Sequence, residues 1–139
     1  VARNAADGIT ISEFPVAMEA AQAAKRLGVA VIAGAPNIVR GGSHSGNVAA
    51  RDLAEADLLD IVSSDYVPSS LLSAALMLGD LWDNISRGIS TVTAAPAKAV
   101  GLADRGAIRL GARADLVRVA RVGDAGAVRG VWVQGSRVA

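Results

Sequence analysis

The chain has 139 residues, about the size of one ordinary domain; 52% are hydrophobic and only 3% are aromatic, so Ala, Val, Leu and Ile must build the core. Its 14 basic and 13 acidic residues give a formal net charge of +1, without the basic clustering of a nucleic-acid or membrane-surface binder, so we expect neither partner. The absence of cysteine excludes disulfides and thiolate metal sites and is compatible with the cytoplasmic location that we predict.

The first predicted unit is a strand followed by a helix. Residues 8–14 read as a strand that ends at Pro15, which suits the first turn of a helix because its missing N–H would be unpaired there. Gly28 can end this helix. Four apolar residues recur at helical spacing and predict its buried stripe: Val16, Ala20, Ala23 and Leu27.

Two further strand–helix units follow. Residues 29–33 are continuously apolar, as in a strand buried on both faces of a parallel sheet, and a long polar loop is predicted over residues 34–46. A helix is expected around residues 48–56, a third strand over residues 58–63 and another helix from Ser69. This alternation predicts an α/β fold with parallel βα units.

The composition of the sequence changes near Gly106: glycines become frequent, and residues typical of helix caps are no longer found. Residues 114–120 and 128–138 read as strands of a hairpin or edge ribbon. We therefore divide the chain into a βα part, 1–105, and a small β tail, 106–139. Since the tail has few apolar residues, it should need a partner surface.

Ligands of parallel α/β folds bind at the carboxyl ends of the strands, and polar residues follow all three predicted strands. Asp65 follows the third strand. It is either a helix N-cap or Asx-turn before Pro68, or a carboxylate that binds a divalent metal or takes a proton from water. Glu13 is either a catalytic carboxylate or a charge favoured near the start of the next helix.

The loop after the second strand has the composition of an anion-binding surface, because glycines expose backbone N–H groups and Arg, Ser and Asn side chains add donors. These residues are Arg40, Gly41, Gly42, Ser43, His44, Ser45 and Asn47. His44 is the only histidine, and one histidine cannot build a zinc site, so a structural or incidental role is its alternative. The loop lacks the Gly-Lys-Ser/Thr ending of a P-loop.

Residues downstream resemble the closing segment of amidohydrolase-superfamily enzymes, in which the chain leaves a distorted TIM barrel and enters a small flanking β-sandwich. The matching residues are 93–99, 101–102, 104–108, 111 and 114–117. Upstream, the chain resembles the M-protein family of the bacterial carbon–phosphorus lyase (phosphonate utilisation) pathway. The residues that carry this second resemblance are 11–15, 34–37, 40–47 and 63–68.

The second resemblance implies a metal-dependent diphosphatase that releases pyrophosphate from α-D-ribose 1-methylphosphonate 5-triphosphate. The three strands would be the last three of an eight-stranded TIM-like barrel, and Asp65 would be the catalytic residue and a ligand of a divalent metal, zinc or similar. The phosphorylated substrate would be bound by Arg40, Ser43, His44, Asn47 and Glu13. The early His-x-His ligands of the superfamily are absent, so we expect the C-terminal part of an enzyme that is inactive alone.

Two other functions fit the residues. One is an amidohydrolase that acts on a cyclic amide or another C–N substrate, since the closing segment is common to the superfamily. The other is a non-catalytic α/β module that holds a phosphorylated ligand through the loop. The exposed edges of a three-stranded sheet also predict a homo-oligomer, and a truncated barrel could instead rearrange into a flavodoxin-like sandwich.

Overall fold

The computed structural model describes residues 6–42, 46–123 and 125–139, which form an α/β assembly with two three-stranded sheets. The elements are, in chain order, β1 (Ile11–Glu13), α1 (Met18–Arg26), β2 (Ala30–Gly34), α2 (Ala35–Arg40), α3 (Ala50–Glu55), β3 (Ile61–Ser63), α4 (Ser70–Leu81), α5 (Ile85–Ser90), α6 (Ala94–Ala99), β4 (Leu116–Val122), β5 (Ala125–Val133) and β6 (Ser136–Arg137). No helix in the described part of the chain has the length and hydropathy needed to cross a membrane.

The first sheet is parallel, with strand order β1-β2-β3, and confirms the predicted βα units. Its central strand β2 buries Val31 and Ala33, as its continuous apolar sequence predicts. The outer strands are shorter than expected. At the end of β1, Phe14 has a φ of 49° and turns the chain away, although its N–H still donates to the Ile32 carbonyl at 3.0 Å.

Pro15 does not lie in the first turn of a helix, so that prediction was wrong. Helix α1 begins three residues later, at Met18. The intervening connection forms a backbone hydrogen bond in which the Val48 N–H donates to the Val16 carbonyl at 3.1 Å. This hydrogen bond ties the segment before α1 to the segment before α3.

The buried stripe of α1 is also displaced from the predicted one. Ala21 and Ala24 are fully buried, whereas Val16 and Leu27 are exposed. Alanine side chains let the helix axis approach the sheet closely, and this packing determines which face is buried.

The predicted loop over residues 34–46 contains the helix α2, so the expectation of a continuous polar loop was wrong. Pro36 occupies the first turn, and Gly41, at a φ of 77°, provides the left-handed C-cap. Ala35 and Ile38 are buried in the core. Burial of this apolar side stabilises a helix of six residues that would not persist alone.

Helices α4 and α5 cross with their backbones in close contact. A Cβ added at Gly88 would lie 2.5 Å from the Gly79 nitrogen and 2.7 Å from the Gly79 Cα, so only glycine fits. Helices α5 and α6 were not predicted. The chain after α5 also covers part of one sheet edge, since the Val62 N–H donates to the Thr91 carbonyl at 3.0 Å.

The second sheet is antiparallel, with order β4-β5-β6, and confirms the predicted β tail. It rests on α4, the kind of partner surface that its composition requires. Gly126 packs against Leu72 of α4, and Arg121 donates to the Asp80 carboxylate at 2.7 Å. This hydrogen bond lowers the pKa of Asp80, and the charge of Arg121 adds to the effect.

The core in the described part of the chain is aliphatic, as the composition predicts. All the buried hydrophobic residues are Ala, Val, Leu or Ile: Ala21, Ala24, Val29, Val31, Ala33, Ala35, Ile38, Ala50, Leu53, Ala54, Leu59, Ile61, Val62, Ala74, Ala75, Leu76, Leu78 and Ala97.

Candidate functional site

A shallow cleft of about 190 Å³ opens at the carboxyl ends of the three parallel strands. Its lining comes from the connection after β1, the end of β2, the α2 segment, the chain around the start of α3 and the turn after β3. The lining residues are Phe14, Pro15, Ala33, Gly34, Pro36, Asn37, Gly42, Asn47, Val48, Ala50, Leu53, Asp65 and Tyr66. The structure thus brings together segments that are separate in sequence, at the edge of the sheet where α/β folds bind ligands.

Asp65 lies two residues beyond β3, is exposed and lines the cleft, as its position after an apolar strand predicts. Its φ of 50° places it in the left-handed region, which Asp tolerates better than most residues. The turn is closed by the Val67 N–H, which donates to the Ser64 carbonyl at 3.1 Å. The carboxylate is therefore held at the cleft by a tight turn.

Gly34, the last residue of β2, makes room for this carboxylate. A Cβ at Gly34 would lie 2.9 Å from Asp65 Oδ2 and 3.3 Å from the Phe14 ring atom Cε1. The Asp65 side chain therefore lies directly over the end of the central strand, with the Phe14 ring beside it. Any larger residue at Gly34 would compete with the carboxylate for this space.

Arg40, the last residue of α2, is joined to Tyr66. Its Nη1 donates to the Tyr66 hydroxyl at 2.8 Å, and its Cζ lies 5.6 Å from the centroid of the Tyr66 ring. Hydrogen bond and cation–π contact together hold the guanidinium beside the residue that follows Asp65. Arg40 is itself not among the described residues that line the cleft. Gly42 and Asn47 bring the predicted anion-binding segment to the lining that contains Asp65.

The remaining predicted site residues differ in their placement. Asn47 lines the cleft. Glu13 ends β1 and is exposed, but it is not among the described residues that line the cleft. Ser43 and His44 lie outside the described residues.

The described residues do not assemble a metal centre. Asp65 is the only acidic residue among those described along the cleft, and the described part of the chain contains no group of three or more His, Cys, Asp or Glu side chains able to hold a metal ion. A catalytic zinc usually has three protein ligands. The donor set described here therefore does not fit a complete site for the divalent metal that the resemblance implies.

Sequence reasoning assigned no individual role to four residues that shape the cleft, although all four lie in segments that carry the resemblance: Phe14, Gly34, Asn37 and Tyr66. Asn37 joins α2 to the start of α3, since its Oδ1 accepts a hydrogen bond at 3.0 Å from the Ala50 N–H. That helix has no side-chain cap of its own. Gly34 and Tyr66 each carried a signal, a glycine at a strand end and an aromatic residue next to a candidate carboxylate.

Comparison with known proteins confirms the resemblance drawn from the sequence. The chain is 52% identical over 134 residues to the α-D-ribose 1-methylphosphonate 5-triphosphate diphosphatase of Escherichia coli (strain K12), covering 94% of this chain. The chain is homologous to part of this diphosphatase. It spans 35% of the length of that relative.

The fold is shared with part of a solved amidohydrolase. The crystal structure of an amidohydrolase from Thermotoga maritima MSB8 superimposes with a TM-score of 0.59 and 14% sequence identity, over 94% of this chain and 43% of that chain. No family model matches the chain.

Proposed function

We propose that this chain is part of a hydrolase of phosphonate metabolism that releases pyrophosphate from α-D-ribose 1-methylphosphonate 5-triphosphate. The observation that carries the proposal is the 52% identity, over nearly the whole chain, to a diphosphatase of that name. The cleft supports it, because it lies at the carboxyl ends of parallel strands and is lined by the Asp65 carboxylate and by Tyr66, whose hydroxyl accepts a hydrogen bond from the Arg40 guanidinium. In this proposal β1, β2 and β3 belong to an incomplete TIM-like barrel, and the β tail, 106–139, belongs to the flanking β-sandwich.

The proposed role of the α2 segment is to bind phosphate. Arg40, which donates to the cleft residue Tyr66, offers a planar fork of donors suited to phosphate oxygens, and Asn47 adds an amide in the cleft lining. Ser43, His44 and Glu13 complete the predicted set of binding residues. Polyphosphate esters should then bind more tightly than orthophosphate, because additional charged oxygens can contact the fixed donors.

The proposed role of Asp65 is to accept a proton from the attacking water, a role for which an exposed carboxylate at a strand end is suited. Superfamily membership suggests dependence on a divalent metal, but the described residues supply one candidate ligand, Asp65. We therefore expect the chain alone to release no pyrophosphate from the triphosphate substrate, with or without added divalent metal. Pyrophosphate release by the purified chain would contradict this expectation.

Calorimetric titration of the chain with inorganic tripolyphosphate and orthophosphate tests the phosphate-binding role. Arg40→Ala should weaken tripolyphosphate binding by about 1.5–3 kcal/mol, the range for hydrogen bonds to charged groups, which is roughly 10- to 150-fold in Kd. The matched control is Arg51→Ala, which removes another exposed arginine whose partner is Glu55 on the same helix. If Arg40→Ala binds both anions as tightly as the unchanged chain, the segment has no role in phosphate binding.

A non-catalytic phosphate-binding module is the second candidate, favoured by the lack of a metal centre among the described residues. The full-length homologous enzyme distinguishes the two functions. The test uses a chimera in which this chain replaces the matching segment of the full-length homologue. In that chimera, Asp65→Asn should abolish most turnover if Asp65 acts in catalysis, because an amide is a poor proton acceptor. Turnover close to that of the unchanged chimera would favour the binding module.

Three further expectations remain predictions. They are a homo-oligomer formed through the sheet edges, the domain division at residue 105 and the cytoplasmic location.

A further inference from the structure

Tyr66 is an aromatic side chain that remains 61% exposed although it lies in the cleft lining. Its described contacts are with Arg40, whose Nη1 donates to the Tyr66 hydroxyl at 2.8 Å. The ring also lies 5.6 Å from the guanidinium carbon. A single side chain therefore meets Arg40 in two ways, through its hydroxyl and through its ring.

The turn that carries Tyr66 is itself well fixed. The Ser64 carbonyl accepts from the Val67 N–H at 3.1 Å, and the Val67 carbonyl accepts from the Ser70 hydroxyl at 2.6 Å. Tyrosine has only two side-chain torsions, so a ring on such a base is a rigid support. Arg40 is different, because an exposed arginine carries about 2 kcal/mol of rotamer entropy that is lost when it binds a ligand in one geometry.

We propose that Tyr66 is a positioning residue for polyphosphate binding: it holds the Arg40 guanidinium in its binding orientation beside the cleft. Part of the ordering cost is then met before the ligand arrives, which raises affinity without a new contact to the ligand. The proposal rests on the phosphate-binding role proposed for Arg40. It assigns phosphate recognition to Arg40 at the end of α2, with the orientation of its guanidinium set by Tyr66 after β3, and the ligand class is an anion with linked phosphate groups.

A double-mutant cycle tests the positioning role, with inorganic tripolyphosphate as the ligand and calorimetry as the measurement. Tyr66→Phe keeps the ring and removes the hydroxyl that orients Arg40, so binding should weaken roughly 3- to 10-fold, the range for the ordering cost of one flexible side chain. Tyr66→Leu removes both contacts and should weaken binding further. In the Arg40→Ala background neither substitution should have an effect above twofold, because the guanidinium that Tyr66 positions is gone.

Urea unfolding of each variant provides a readout that separates positioning from structural support. Tyr66 is mostly exposed, so the midpoints of Tyr66→Phe and Tyr66→Leu should match that of the unchanged chain. Arg51→Ala is the control for the loss of an exposed arginine whose partner is Glu55, and it should leave binding unchanged.

The outcomes distinguish this inference from the proposed function on which it rests. If Arg40→Ala weakens binding but Tyr66→Phe and Tyr66→Leu do not, the inference is wrong and the phosphate-binding role stands. Equal losses from the Tyr66 substitutions in the presence and absence of Arg40 would also overturn it, because Tyr66 would then act independently. If the unchanged chain does not bind tripolyphosphate, or if Arg40→Ala has no effect, both are wrong.

Discussion

Replacement of Gly34 by alanine tests whether the end of β2 is shaped around the Asp65 carboxylate. The backbone at Gly34 has φ −80° and ψ 135°, which alanine adopts without strain, so the effect comes from the added methyl group alone. That Cβ would lie 2.9 Å from Asp65 Oδ2 and 3.3 Å from Asp65 Cβ and Phe14 Cε1. The Asp65 carboxylate must therefore move, and the Asp65 Cβ and the Phe14 ring must each shift by a few tenths of an ångström.

The expected net cost in unfolding free energy is about 0–1.6 kcal/mol. Overpacking by one methyl group costs about 1–3 kcal/mol, and the lower half applies here because the Asp65 side chain is exposed and can rotate away. The loss of glycine flexibility in the unfolded chain offsets about 0.4–1 kcal/mol. Urea denaturation measures the difference, and amide chemical shifts of residues 64–66 report the displacement of Asp65.

Gly42→Ala is the matched control, because Gly42 lines the same cleft and an added Cβ there meets nothing within 4 Å. It should leave stability unchanged or raise it by up to about 1 kcal/mol. In an Asp65→Gly background, which removes the clashing carboxylate, Gly34→Ala should cost less than in the unchanged chain. If Gly34→Ala proves as stable as Gly42→Ala and leaves the shifts of residues 64–66 unmoved, the Gly34–Asp65 contact does not shape the site.

Two further predictions concern the scaffold. Gly88→Ala should lower the unfolding free energy by about 3 kcal/mol, because the methyl group would meet the backbone of Gly79 and force the helices apart. Urea denaturation measures this loss, and a value below about 1 kcal/mol would contradict the close crossing of α4 and α5. Arg121 holds the pKa of Asp80 below its usual range, so the pair stabilises docking of the β tail above about pH 4 and this contribution is lost as the pH falls through the lowered pKa. In hydrogen-exchange measurements Asp80→Asn should make protection of β4 and β5 less sensitive to acid, and an unchanged acid profile would exclude the pair as the cause.

The sequence by itself predicts the βα units, because the relevant patterns are local. The apolar run of β2 and the helical periodicity of α4 depend on neighbours within a few residues, and both elements lie where they were predicted. The same applies to Asp65, which directly follows the third predicted strand. Its position at the carboxyl end of a parallel sheet follows from the chain order alone.

The length of the polar segment after β2 was misjudged for a physical reason. The local helix signal of α2 is too weak to predict it, because the helix has only six residues, contains a proline and is flanked by Gly34 and Gly41. Burial of these side chains in the core stabilises α2. Likewise, the buried face of α1 follows from the close approach of Ala21 and Ala24 to the sheet, which hydrophobicity along the helix does not specify.

The pairing of Arg40 with the cleft residue Tyr66 depended on tertiary structure. Arg40 and Tyr66 are 26 positions apart, and nothing in either local sequence specifies that the guanidinium meets the phenol. The requirement for glycine at Gly34 likewise arises only when Asp65 and Phe14 converge on it. Local pattern determines which segments reach the carboxyl end of the sheet, whereas the contacts among their side chains depend on the distances between strands and helices after packing.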